Sequence, residues 1–89
     1  MEITVEVSLY PLSSEYEKCI IDFIHQIKSN HSLEVYTHSM STYIKGNSDK
    51  VFSELNTALK KANATTDTLS MVLKLINRPL PVEEGFFDL

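Results

Sequence analysis

Thr37-His38-Ser39-Met40-Ser41-Thr42-Tyr43-Ile44-Lys45-Gly46 reads as the end of one strand, a tight turn and a second strand. Pairing Thr37 with Thr42 across the turn sets Tyr36 against Tyr43, Val35 against Ile44 and Glu34 against Lys45. The aromatic pair and the opposite-charge pair then share one face and the aliphatic pair takes the other, the arrangement that cross-strand contacts favour. A slip of one residue would reverse every side chain, so the register is well specified. Thr37, Ser39, Ser41 and Thr42 gather small hydroxyls at the tip, where they add little to a core. Met40 is unusual in a turn, a place that favours Gly, Asn or Asp.

Working back toward the N-terminus, residues 2–9 alternate strictly. Ile3, Val5, Val7 and Leu9 share one face, and Glu2, Thr4, Glu6 and Ser8 the other, which is the pattern of a half-covered strand. Pro11 has no N–H for a ladder and is expected to end it. Ser14 and Glu17 have capping-box spacing. Tyr16, Cys19, Ile20, Phe23, Ile24 and Ile27 follow at helical intervals, predicting an amphipathic helix to about Ser29. A strand over residues 33–38 then enters the hairpin.

Beyond the hairpin, Ser48 is a plausible N-cap with Asp49 in the first turn. Val51, Phe52, Leu55, Leu59 and Ala62 form an apolar stripe, and Asn63 is the expected left-handed terminator. In residues 69–76, Leu69, Met71, Leu73 and Leu75 alternate with Ser70, Val72, Lys74 and Ile76, giving a fourth strand. The order β-α-β-β-α-β with short connections is the ferredoxin-like, split βαβ arrangement. It predicts an α+β fold with a four-stranded antiparallel sheet in the order 4-1-3-2 and two helices on one face.

The chain of 89 residues suits one domain, small enough that a second copy would add noticeably to stability. Residues 1–77 are read as that domain. Residues 78–89 are read as a tail that packs on it or on a partner subunit, because Phe86, Phe87 and Leu89 are too apolar for a solvated end. Twelve acidic against eight basic side chains give a formal charge of −4, which repels phosphate backbones, so nucleic acid is not expected as a partner. Nor is a membrane: no apolar run approaches a bilayer's width. The start Met-Glu-Ile-Thr-Val lacks a secretion signal, and the single cysteine, Cys19, has no intramolecular disulfide partner. Both point to the cytoplasm. His25, His31 and His38 lack metal-ligand spacing, and neither a metal nor a cofactor is expected.

Glu6-Val7-Ser8-Leu9-Tyr10-Pro11-Leu12, followed by Met40-Ser41-Thr42-Tyr43-Ile44-Lys45-Gly46 and Val51-Phe52, resembles the YkoF-like thiamine-binding proteins. These carry an E-V-S-L-Y-P-L opening and an M-(S/G)-T-x-I-x-G strand. The likeness covers roughly residues 4–76 in order and spacing. It implies a ferredoxin-like domain that pairs sheet to sheet and binds thiamine or its hydroxymethylpyrimidine half, without established catalysis. Residue by residue, it touches Glu6, Ser8, Met40, Ser41 and Thr42, with Gly46 as a structural position. Some members fuse two such domains; with one domain here, pairing would come from separate subunits, as a dimer or tetramer.

An aminopyrimidine offers an exocyclic amine donor and ring-nitrogen acceptors. Its recognition needs a carboxylate or carbonyl, hydroxyls and an aromatic or sulfur-bearing wall. Glu6, Ser8, Tyr36, Met40, Ser41, Thr42 and Tyr43 are the candidate ligand-binding residues. A cationic thiazolium could also sit over a tyrosine. The expected function is a non-catalytic carrier or sensor. The alternative is an assembly or regulatory module whose open sheet face serves only to pair subunits.

Overall fold

The structure, a computed structural model, describes residues 1–82. Phe86, Phe87 and Leu89, on which the expected packing of the tail turned, lie outside the described residues. The elements are β1 (Glu2–Pro11), α1 (Tyr16–Lys28), β2 (Glu34–Thr37), β3 (Thr42–Asn47), α2 (Ser48–Asn63) and β4 (Leu69–Ile76). They form one antiparallel sheet in the order β2-β3-β1-β4, as the element order predicts. The hairpin register holds pair for pair, from Glu34 opposite Lys45 to Thr37 opposite Thr42.

Alternation places Ile3, Val5, Val7 and Leu9 of β1 and Ile44 of β3 under the helices. There they join Cys19, Phe23 and Ile27 of α1 and Val51, Leu55, Ala58 and Ala62 of α2 in one core. Cys19 is a buried free thiol. Gly46 lies beside Leu33 and close to Val51 in the first turn of α2. A Cβ there would stand 2.6 Å from Leu33 Cδ2 and 3.6 Å from Val51 Cγ2, so the glycine is needed for space.

Local expectations fail in several places, each for a physical reason. Pro11 does not end β1 early: it pairs with Leu69, and Leu12 N–H donates to the Thr68 carbonyl at 2.8 Å. It sits past the last β3 partner, where a missing N–H costs nothing. The Ser14–Glu17 capping box does not form; α1 opens after Glu15, whose N–H donates to Ser13 Oγ at 3.1 Å. Tyr16, expected in the core, is exposed. Asn47, not Ser48, caps α2, its side chain accepting from the Asp49 N–H. Asn63 remains helical, and the helix closes on Ala64 in a right-handed conformation.

The inward face of α2 is also rotated. Phe52 and Leu59 point outward, while Glu54 is buried. Its carboxylate accepts from Asn30 Nδ2 at 3.0 Å and Gln26 Nε2 at 3.2 Å, and Lys61 Nζ donates to Gln26 Oε1 at 2.6 Å. A buried carboxylate held by the amides of Gln26 on α1 and Asn30 just beyond its end locks the helices together, and that polar link turns the stripe.

Candidate functional site

β1 outruns its inner neighbour. Its ladder with β3 stops at Val7 opposite Thr42, while its ladder with β4 continues to Pro11. From Ser8 onward, therefore, β3 supplies no partner along one edge of β1. In an antiparallel ladder alternate residues direct their backbone polar groups to opposite sides. Every second residue of this stretch thus turns them toward the gap.

The hairpin tip and α1 close the gap into a cleft of about 480 Å³. Val7, Leu9 and Thr42 form its floor, and Ile20, Phe23 and Ile24 of α1 form an apolar wall. Tyr10 and Tyr16 stand at the rim, and the tip residues 37–41 close the far side. The tip is fixed by His38 N–H, which donates to the Ser41 carbonyl at 2.9 Å, leaving Ser39 and Met40 as the turn. Met40 is 87% exposed, and its carbonyl accepts from Ser8 Oγ at 3.5 Å, the long limit of a hydrogen bond.

Ser8, Met40, Ser41 and Thr42 all line this cleft. Glu6 and Tyr43 do not. They border a smaller cavity of about 120 Å³ on the opposite sheet face, together with Lys74, Leu80 and Val82. Tyr36 lies on the edge strand β2, its hydroxyl donating to Glu34 at 3.3 Å. The two cavities are linked through one contact: Ser41 Oγ donates to Glu6 Oε2 at 3.0 Å. The Ser41 hydroxyl lies between the Glu6 carboxylate and the Tyr43 phenol, and its oxygen lone pairs can also accept. Thr42 is buried, facing Thr37 with 3.4 Å between hydroxyl oxygens.

Glu6 also lies 3.9 Å from Lys74. Tyr43 packs its ring edge to face with His38, centroids 5.0 Å apart. Burial pushes the Tyr43 phenol above its ordinary pKa, and its hydrogen bond to the Glu6 carboxylate, with that group's charge, adds to the effect; a hydrogen bond with Ser41 opposes it. Tyr43 is thus kept as a neutral donor.

The second sheet face is not fully open. Thr4, 3% exposed, donates from Oγ1 to the Arg78 carbonyl at 3.0 Å and accepts the Leu80 N–H at 2.9 Å. Residues 78–82 lie across this face, with Val82 buried. The α1 wall and the Tyr10–Tyr16 rim escaped the sequence reading. The unequal strand lengths held the signal, hidden by ending the first strand at Leu9.

Solved structures share the architecture closely. A Thermotoga maritima protein provisionally assigned to thiamine biosynthesis or salvage superposes with a TM-score of 0.84 at 13% identity, covering 99% of this chain and 98% of that one. A Methanocaldococcus jannascii protein of no assigned function gives 0.77 at 24% identity, covering 98% and 89%. A Streptococcus pneumoniae protein gives 0.79 at 18%, covering 99% and 94%. At such identities these likenesses speak for the fold alone. Among curated proteins no sequence matches significantly. The model of the YKOF-related family, by contrast, matches residues 2–79, nearly the whole domain, and the chain belongs to that family.

Proposed function

We propose that this protein binds thiamine or its hydroxymethylpyrimidine half in the cleft beside β1, as a carrier or sensor and without catalysing a reaction. One observation carries the reading: Ser8, Met40, Ser41 and Thr42, which come from segments far apart in sequence, meet around a single cleft. Its volume of about 480 Å³ falls within the range of small-molecule sites. Family membership and the thiamine assignment of the Thermotoga maritima protein support the choice of ligand.

The chemistry is compatible atom by atom. A flat pyrimidine stacks against the Ile20, Phe23 and Ile24 wall. Its exocyclic amine donates to Ser41 Oγ or to the unpaired backbone carbonyls of β1, and hydroxyls serve the ring nitrogens. Glu6 acts from behind Ser41 by orienting its hydroxyl. Tyr36 is left with a packing role on the hairpin.

Calorimetric titration with thiamine, hydroxymethylpyrimidine and the 4-oxo analogue of thiamine tests this. We expect heat and a rise in melting temperature with the first two and a weaker response to the analogue. No heat and no thermal shift at millimolar ligand would sink the reading.

A subunit-pairing role for the open face has its own support, since Val72 and Ile76 are exposed there; residues 78–82 already occupy one end. Pairing of this kind would yield a dimer or tetramer. We place the protein in the cytoplasm, in keeping with its free thiol. Among the described residues no helix is long and apolar enough to cross a membrane.

A further inference from the structure

α1 and α2, with Ser29 and Thr65 just beyond their ends, enclose a trough of about 410 Å³ to which no strand contributes. It has Phe23 alone in common with the cleft beside β1, and pyrimidine binding there makes no use of it.

The floor of the trough is apolar and buried. Ala58 and Ala62 lie one turn apart on the same face of α2. Their short side chains leave open a space that Cys19 and Phe23 of α1 bound from the other side.

The rim, by contrast, carries opposite charges. Asp22 Oδ2 accepts from Lys18 Nζ at 2.8 Å, and the carboxylate keeps lone pairs for a further donor. Thr65 borders Asp22 in a small adjoining cavity. Its hydroxyl donates to the Ala62 carbonyl at 3.1 Å, which leaves its own lone pairs to accept. On the α2 side Lys61 Nζ donates to Gln26 Oε1 at 2.6 Å, and two of its three N–H groups are left over. Gln26 in turn donates to Glu54 at 3.2 Å, so the ammonium rests on a braced amide. Asp22 and Gln26 are one turn apart, about 6 Å along α1. An acceptor end and a donor end thus stand about a turn apart over an apolar floor.

We infer that the trough binds a free apolar α-amino acid the size of leucine or phenylalanine. Its ammonium meets Asp22 and Thr65, its carboxylate meets Lys61, and its side chain lies on the floor. Both charges of such a molecule sit on one Cα, so with a hydrogen bond of about 2.9 Å at each end they bridge the two ends of the rim. The end of a peptide carries only one of the two charges, which is why the ligand is a free amino acid. Exposed ion pairs are weak on their own. The charged ends therefore orient the molecule, while burial of its side chain supplies most of the affinity.

NMR titration of the backbone amides of the full chain with L-leucine and L-phenylalanine at millimolar concentration tests this. Saturable shifts are expected in residues 19–29 and 58–65, which border the trough. Residues 8–11 and 38–42 of the cleft should stay still. Isocaproate is leucine without its ammonium, and isoamylamine is leucine without its carboxylate; each should bind at least about fivefold more weakly. Asp22→Asn and Lys61→Met, both on the exposed rim, should weaken leucine binding to a similar extent.

Comparing the analogues on the unmodified chain keeps the test independent of how the variants fold. No saturable shift with either amino acid overturns the inference. So do shifts confined to the cleft, isocaproate or isoamylamine binding as well as leucine, or a leucine affinity indifferent to both substitutions. The titration contains no pyrimidine, so its outcome does not depend on what the cleft binds.

Discussion

Ser41 Oγ donates a hydrogen bond to Glu6 Oε2 at 3.0 Å across a sequence separation of 35 residues, and it joins the hairpin tip to the central strand. In the proposed reading this contact orients the Ser41 hydroxyl that meets the ligand. Ser41→Ala is therefore expected to weaken pyrimidine binding about tenfold, equivalent to about 1.4 kcal/mol, with a smaller loss of stability. Glu6→Gln should weaken it less, since an amide oxygen still accepts. A double-mutant cycle by calorimetry checks that the two losses are not additive.

Tyr43 supplies a prediction in pH. Its folded pKa is raised above the ordinary value, so its contribution to stability is fully present below about pH 10, the unfolded value, and is lost as pH rises through the folded one. Urea denaturation from about pH 8 to about pH 11 should show this alkaline loss in the native protein and a shallower one in Tyr43→Phe. Ultraviolet titration of the phenol should find a midpoint above that of free tyrosine.

Gly46 is constrained by volume. In Gly46→Ala the new methyl meets Leu33 Cδ2, and Leu33, itself buried, must change rotamer against the core. The expected cost is about 1 to 2 kcal/mol, measured as a lower urea midpoint at unchanged slope.

Glu54→Ala removes the acceptor of both Gln26 and Asn30. Leaving two part-buried amides unsatisfied should cost about 2 kcal/mol. Ligand affinity should be unchanged, because none of these side chains lines the cleft beside β1.

Thr4→Val conserves shape but deletes both bonds to residues 78–80. We expect the Leu80 amide to exchange with solvent markedly faster, while global stability falls by about 1 kcal/mol. Amide exchange read peptide by peptide separates this local release from general loosening.

The fold was legible because its signals agreed. The alternation in β1 and β4 and the self-consistent pairing in the hairpin each specify one face, and short connections leave few topologies. What escaped depends on groups distant in sequence. Glu54 turns inward because Gln26 on α1 and Asn30 just past its end meet it, so a stripe read from α2 alone wrongly included Phe52 and Leu59. The candidate site was legible in part. Ser8, Met40, Ser41 and Thr42 converge, but Glu6 and Tyr43 fall on the far side of the sheet. Strand alternation shows a residue's face, whereas a cleft at the end of a ladder draws on both faces.

β1 extends past the last rung it shares with β3, from Val7 to Pro11, and the cleft is the space those missing rungs leave. Its length is thus encoded as a difference between two strand lengths, with the hairpin tip and α1 closing its sides. Insertions or deletions at residues 38–41 could resize it by whole rungs while the core stays untouched. Indels at the tip alone are thus a route by which drift, or the protein engineer, can alter the volume of the cleft.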